Sequence, residues 1–209
     1  MKLVFPRLYV ILDAALLRSS PRMVAVTLAE AGVELIQYRD KHSPSQILLS
    51  LSQQLVAEMR PRGVCLVVND RADVAAVAGA AGVHVGQDDL PVEEARRVCG
   101  PWRWVGVSTH AEEQVGAAAG TSADYIAVGP VFETATKANP VPVVGLELIR
   151  RARAITEKPI VAIGGITVER AGDVYAAGAD ALAVASDILN HADIGKRAQA
   201  YIELAGRWN

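Results

Sequence analysis

At 209 residues, with 51% of its side chains hydrophobic, the chain is long enough to bury one large core. Its formal net charge of −2 excludes the broad basic face that nonspecific nucleic-acid binding needs, so any anion it binds must be met by charge placed locally. The two cysteines, Cys65 and Cys99, lie far apart and in no metal-ligand spacing, which argues against a disulfide framework or a zinc site and for a reducing compartment.

The opening segment, MKLVFPRLYVILDAALLRSS, carries an apolar run broken by Pro6, Arg7 and Asp13, and no stretch of the chain approaches the roughly 18 apolar residues that span a membrane. A cytoplasmic protein without membrane association is expected. Short apolar runs rich in β-branched residues then recur along the chain: LYVILD (8–13), LIQYRD (35–40), CLVVND (65–70), GVHVG (82–86), WVGVST (104–109), YIAVGP (125–130), PIVAIGG (159–165) and ALAVAS (181–186). Segments of helical composition separate them. PRMVAVTLAEAG begins on a proline suited to a first turn, SPSQILLSLSQQLVAEMRPRG offers Ser43 as a cap, and DILNHADIGKRAQAYIELAGRW ends the series. Eight apolar strands alternating with helices specify an α/β protein with a parallel sheet covered on both faces, and the count of eight specifies a (β/α)8 barrel, read as a single domain over 1–209. An open doubly wound sheet is less favoured, because no G-x-G-x-x-G follows the first strand.

In such a barrel the polar ends of the strands converge on one mouth. In the second run Leu35, Gln37, Arg39 and Lys41 share one face, so one row turns cationic and calls for an anionic partner. Asn69 and Asp70 end the third run, and Asp88 and Asp89 follow the fourth. Carboxylates beside a cationic row suit Mg2+ with phosphate oxygens and water; the alternative is that Asp70 and Asp89 cap the helices starting near Ala72 and Pro91. The polar loop GPVFETATKANP after the sixth run, with Thr134, Thr136 and Lys137, is either a binding loop or a solvated one. Gly164, Gly165 and Ser186 end the last two strands, where the first turns of helices favour a phosphate; Gly-Gly is also a common turn, and Ser186 is also a candidate N-cap. His84 reads as a core histidine with hydrogen bonds, His110 as a residue at the mouth, and no Ser-His-Asp or Cys-His arrangement stands out for covalent catalysis.

QYRDK, NDRAD, GVHVGQDDL, GVSTH, DYIAVGPVFETATK and IGGI, in this order and spacing, resemble the thiamine-phosphate synthase family from Tyr9 to Ile188. The resemblance implies a barrel that joins 4-amino-2-methyl-5-(diphosphooxymethyl)pyrimidine to a thiazole phosphate, releasing diphosphate and forming thiamine monophosphate. By position it implies that Gln37, Arg39, Lys41, Asn69, Ser108 and Lys137 hold the pyrimidine diphosphate, with Arg39, Lys41, Ser108 and Lys137 assisting its departure. It also implies that Asp70 and Asp89 bind Mg2+, that Thr134 and Thr136 contact the thiazole, and that Gly165, Ala185 and Ser186 hold its phosphate and ring. Small-molecule substrates are the expected partners, and a homo-oligomer stays open. Two departures from the family's pattern stand out: Ala185 where a larger aliphatic residue is frequent, and Leu12 in place of a frequent threonine. The competing readings are a paralogous thiazole tautomerase, whose members tend to lose the metal aspartate and to carry histidine where Pro130 stands, and a noncatalytic phosphate-ligand barrel.

Overall fold

The computed structural model describes residues 5–134 and 142–208. All eight runs form strands: β1 Leu8–Asp13, β2 Leu35–Arg39, β3 Cys65–Asn69, β4 Gly82–Val85, β5 Trp104–Thr109, β6 Tyr125–Val128, β7 Ile160–Ile163 and β8 Ala181–Val184. Helices lie between and after them: α1 Pro21–Glu30, α2 Ser45–Met59, α3 Ala72–Ala78, α4 Val92–Cys99, α5 Glu112–Ala119, α6 Gly145–Ile155, α7 Val168–Ala176, α8 Ser186–Leu189 and α9 Ile194–Ala205. Each strand pairs in parallel with its sequence neighbours, and β8 returns to β1 with Val10 opposite Val184, so the sheet closes into a (β/α)8 barrel.

Closure explains why the strands are apolar on both faces. One face of each strand meets helices, the other fills the barrel, and successive side chains alternate between the two. Val10, Leu12, Ile36, Val68 and Leu182 belong to the outer layer with Leu28, Leu55, Met59 and Ile149 from the helices. Tyr9, Ile11, Leu35, Val67, Tyr125, Val161 and Ala183 fill the inside. Phe5 lies with its ring 4.8 Å from that of Tyr125 and 5.7 Å from that of Trp104, the first residues of β6 and β5, and so closes the amino-terminal end of the barrel. Leu12 faces the helices and is fully buried, so its departure from the family's pattern does not touch the barrel interior.

Two aspartates tie that lower end. Asp124, just before β6, accepts the Val105 amide at 2.7 Å and pairs with Arg96; Asp180, just before β8, accepts the Ile160 amide at 2.7 Å and pairs with Arg153 at 2.8 Å. Each accepts an amide from the start of a neighbouring strand and meets an arginine from a helix, which leaves neither the donor nor the acid unpaired.

Several local expectations are corrected. Ser20, not only Pro21, starts α1 by accepting the Met23 amide at 3.3 Å. Ser43 caps nothing; α2 begins at Ser45 after Pro44, and the turn before it is held by Asp40, whose Oδ1 accepts the His42 and Ser43 amides, each at 3.0 Å. The final helical segment is two helices, because Asp193 caps a new one by accepting the Lys196 amide at 3.0 Å.

Gly106 sits on β5 opposite both His84 and Tyr125, and a Cβ there would lie 2.0 Å from Tyr125 Cζ. Gly106→Ala is therefore expected to cost about 1–3 kcal/mol or more through overpacking, read as a lower midpoint in urea denaturation with an unchanged slope.

Candidate active site at the carboxyl ends of the strands

The charges of the second strand are met partly within the chain. Arg39 Nη1 pairs with the Asp13 carboxylate, which lies opposite it in the β1–β2 register and is buried. Lys41, beyond the strand end, places its Nζ 2.9 Å from Asp70 Oδ2. Gln37 does not reach the rim; it is 3% exposed, and its Nε2 donates to the Tyr9 hydroxyl at 2.8 Å inside the barrel. Tyr38 and Asp40 point the other way, joined by a 3.1 Å hydrogen bond between the hydroxyl and the carboxylate.

Asp70 and Asp89 do not cap helices. α3 and α4 begin without any side-chain cap. Instead Asp89 Oδ2 accepts the Gly86 amide at 2.7 Å, and Asp70 turns its side chain toward Lys41 and Asp89. Asp70 takes up a left-handed backbone at φ 62, the only positive φ outside glycine among the described residues, while its amide donates to the His84 carbonyl at 2.7 Å. That conformation aims the carboxylate across the β3–β4 rim, and strain of this kind, on the order of 1–3 kcal/mol, is tolerated where the surroundings fix it. Burial, followed by the contact with Asp89, pushes the Asp70 carboxyl above the ordinary carboxylate range, against the pull of Lys41.

Two carboxylates thus meet beside one ammonium, which pairs with Asp70 alone, an arrangement short of positive charge. Among the described residues no group of three or more His, Cys, Asp and Glu gathers around a metal position. The pair of acids still fits Mg2+, which commonly takes one or two carboxylates and fills its shell with phosphate oxygens and water.

Next to this rim lies a cavity of about 360 Å3 whose walls include Asp13, Arg39, His110, Thr134, Gly165, Ala185 and Ser186. Lys41, Asn69, Asp70, Asp89 and Ser108 are not part of its wall, so the site has two halves, and Arg39 alone of the strand-two row borders the cavity. Ala185 packs on the interior cluster and, with its small side chain, widens the cavity at that corner. Ser186 is the first residue of α8 rather than its cap. Gly164 and Gly165 serve a packing need: a Cβ on Gly164 would lie 2.5 Å from Pro130 Cβ, and one on Gly165 2.3 Å from the Glu133 carbonyl oxygen. Their positive φ values let the end of β7 lie directly against the loop after β6. Thr136 and Lys137 lie outside the described residues.

Four residues at the site carry contacts that the sequence does not announce. Asp13 is the partner of Arg39. His110 binds the Gly129 carbonyl through Nδ1 and lines the cavity. Tyr9 and Tyr125 join hydroxyls at 3.0 Å, and Tyr125 meets His84 Nδ1 at 3.0 Å, while His84 Nε2 meets Ser108 Oγ at 2.9 Å. Burial raises both phenols, so they remain protonated at neutral pH. The one signal for Asp13 in the sequence is an acid ending an otherwise apolar run.

A barrel that gathers Asp13, Arg39, Lys41, Asp70 and Asp89 at the carboxyl ends of its strands, beside a cavity reaching the ends of β7 and β8, falls in the class of (β/α)8 enzymes acting on phosphorylated small molecules. Residues 8–188 match the family model described as thiamine monophosphate synthase. The thiamine-phosphate synthase of Koribacter versatilis is 46% identical over 207 residues, covering 97% of each chain, and that of Chloroflexus aurantiacus is 43% identical over 189 residues, covering 90% of this chain and 87% of the relative. The solved structure of thiamine phosphate pyrophosphorylase from Pyrococcus furiosus superposes with a TM-score of 0.88 at 30% identity over 97% of this chain and 96% of the other. The chain belongs to the thiamine monophosphate synthase family, and it is a transferase. Among the described residues no helix is long and apolar enough to cross a membrane.

Because the Asp70 carboxyl is raised in the fold, the folded chain binds its proton more readily than the unfolded one. Without a divalent cation, stability therefore falls as pH rises from the ordinary carboxylate range through the raised value. Asp70→Asn is expected to melt higher than the wild type at neutral pH in chelator, with the advantage fading in acid. Mg2+ should raise the melting temperature of the wild type and leave the variant unmoved, as thermal denaturation across pH and Mg2+ would measure.

Proposed function

We propose that the chain condenses 4-amino-2-methyl-5-(diphosphooxymethyl)pyrimidine with a thiazole phosphate to give thiamine monophosphate and diphosphate, one barrel of residues 1–209 carrying both substrates. The observation that carries this reading is the Asp70–Asp89 pair beside Lys41, set against a separate cavity bounded by Gly165, Ala185 and Ser186. One substrate brings a diphosphate to the acid rim and the other lies in the cavity, with Arg39 between them.

In this reading Lys41, Asn69 and Ser108 bind the diphosphate, and Lys137 joins them from the loop after β6. Gln37, by its place inside the barrel, sits beneath the pyrimidine rather than against the diphosphate. Arg39 is held by Asp13, which fixes the guanidinium plane and leaves its remaining N–H groups for the substrates; a guanidinium carries five donors. Thr134 and Thr136 contact the thiazole, and Gly165, Ala185 and Ser186 receive its phosphate and ring. Mg2+ held by Asp70 and Asp89 would neutralise charge growing on the departing diphosphate. Cations already in place do the same without reorganising, and so favour the transition state over the ground state.

The carbon–oxygen bond to diphosphate breaks first, and the electron-rich aminopyrimidine carries the methylene cation until the thiazole nitrogen supplies the electron pair for the new bond. The protein contributes no nucleophile. Its task is to hold the two substrates and keep water out, which the apolar walls of Ile11, Val143 and Ile163 support. The tautomerase alternative is disfavoured by Asp70 and by Pro130, and the noncatalytic alternative by the family match.

Incubating the protein with both substrates and Mg2+ is expected to yield thiamine monophosphate and diphosphate in equal amounts, with no product in chelator; no product above buffer with Mg2+ present would end this reading. Lys41→Ala should raise KM for the pyrimidine diphosphate by tenfold or more, a loss of about 1.4 kcal/mol in binding, while KM for the thiazole phosphate changes little. Equal changes in both would mean that the two halves of the site are wrongly assigned.

A further inference from the structure

Inside the barrel, five polar side chains from five strands make one continuous path. Gln37 Nε2 donates to Tyr9 Oη at 2.8 Å, Tyr9 Oη meets Tyr125 Oη at 3.0 Å, Tyr125 Oη meets His84 Nδ1 at 3.0 Å, and His84 Nε2 meets Ser108 Oγ at 2.9 Å. The path starts on a buried amide and ends at the half-buried serine assigned to the diphosphate.

Its direction follows from donor counts. An amide nitrogen has no lone pair to offer, so Tyr9 accepts from Gln37. Tyr9 is 1% exposed, and its hydroxyl proton has one remaining neighbour in the path, the Tyr125 oxygen. Tyr125 is fully buried, has then accepted from Tyr9, and passes its own proton to His84 Nδ1. The opposite direction would strand the Tyr9 hydroxyl proton inside the barrel without an acceptor. With Nδ1 accepting, the neutral imidazole carries its proton on Nε2 and donates to Ser108 Oγ. Ser108 therefore cannot give its proton to His84, although the two are placed like a serine nucleophile and its base. Its lone pair is engaged from below, and its proton is free to point out of the barrel. A second anchor fixes the residue: Gln87 Nε2 donates to the Ser108 carbonyl at 2.6 Å.

We propose that Gln37, Tyr9, Tyr125 and His84 are positioning residues that hold His84 as its Nε2–H tautomer and so present the Ser108 hydroxyl to the diphosphate as a hydrogen-bond donor, never as a nucleophile. This rests on the assignment of Ser108 to the diphosphate, but the tautomer does not. Gly106 supports the path by leaving room for the Tyr125 ring beside the His84 imidazole, whose centroids are 5.5 Å apart in a stacked arrangement. A purely packing role for these residues asks for rings of the same shape and is indifferent to their hydroxyls.

Two measurements test it. Imidazole nitrogen chemical shifts of the substrate-free wild type should place the His84 proton on Nε2 at neutral pH; a proton on Nδ1, or on both nitrogens, would overturn the proposal whatever the substrates are. The second is a double-mutant cycle in synthase turnover. Tyr125→Phe should lower kcat about tenfold in the wild type, with KM for the thiazole phosphate unchanged, and less than twofold when Ser108 is already Ala. Its effect on melting temperature should be the same in both backgrounds. Multiplicative losses in kcat would mean that Tyr125 does not act through Ser108. Absence of turnover in the wild type would instead count against the synthase reading and leave the tautomer result standing.

Discussion

Eight strands closed on themselves shut water out below the rim, and every polar atom placed inside must find its partner there. The interior is graded accordingly. Phe5, Leu35 and Trp104 make the floor with carbon atoms alone apart from one indole nitrogen. Above it, Gln37, Tyr9, Tyr125 and His84 are polar, and each is paired. Charge enters only at the strand ends, where Arg39 meets Asp13 and Lys41 meets Asp70. The order follows the cost of desolvation, smallest for an apolar ring and largest for an ion.

That grading explains what was legible in the chain. The eight strands stand out because both of their faces are buried, which makes each a short unbroken apolar run, and the runs match the observed strands to within two residues at either end. Strand ends were equally visible, since they are where the runs turn polar, and so the rim residues Arg39, Lys41, Asn69 and Asp70 could be named, whereas Ser108 came only with the resemblance to the family. What stayed hidden depends on contacts between distant strands. Tyr9 and Tyr125 look like ordinary strand aromatics, and their hydroxyls meet across 116 positions of sequence. Asp13 gains meaning only when the β1–β2 register sets it opposite Arg39. One cap was misjudged for a related reason: Ser43 precedes a helix, but the Asp40 carboxylate holds the turn there, while Asp70 and Asp89, for which capping was only the alternative to binding a cation, turn toward each other.

The site also divides along the order of the strands. β2, β3 and β4 deliver the acids and Lys41, while β5, β6, β7 and β8 deliver the cavity, with the walls of β1 and Arg39 common to the boundary. A reaction that must hold two phosphorylated molecules end to end is suited by this division, because anions placed in separate halves repel each other less than anions sharing one. The glycines at the end of β7 belong to the second half in an indirect way. By letting the chain after β6 lie against them, they set the height of the cavity wall before any ligand is considered.

The left-handed backbone at Asp70 bears on how such a chain can change over evolutionary time. Glycine enters that conformation freely and asparagine at no more cost than aspartate, whereas a β-branched or bulky residue carries a larger backbone penalty on top of the lost carboxylate. Drift away from a carboxylate at this position is therefore channelled. A descendant that abandons the chemistry but keeps the barrel intact has asparagine or glycine as its cheapest exits, and the backbone itself, independent of any selection on activity, narrows what the third strand can end in.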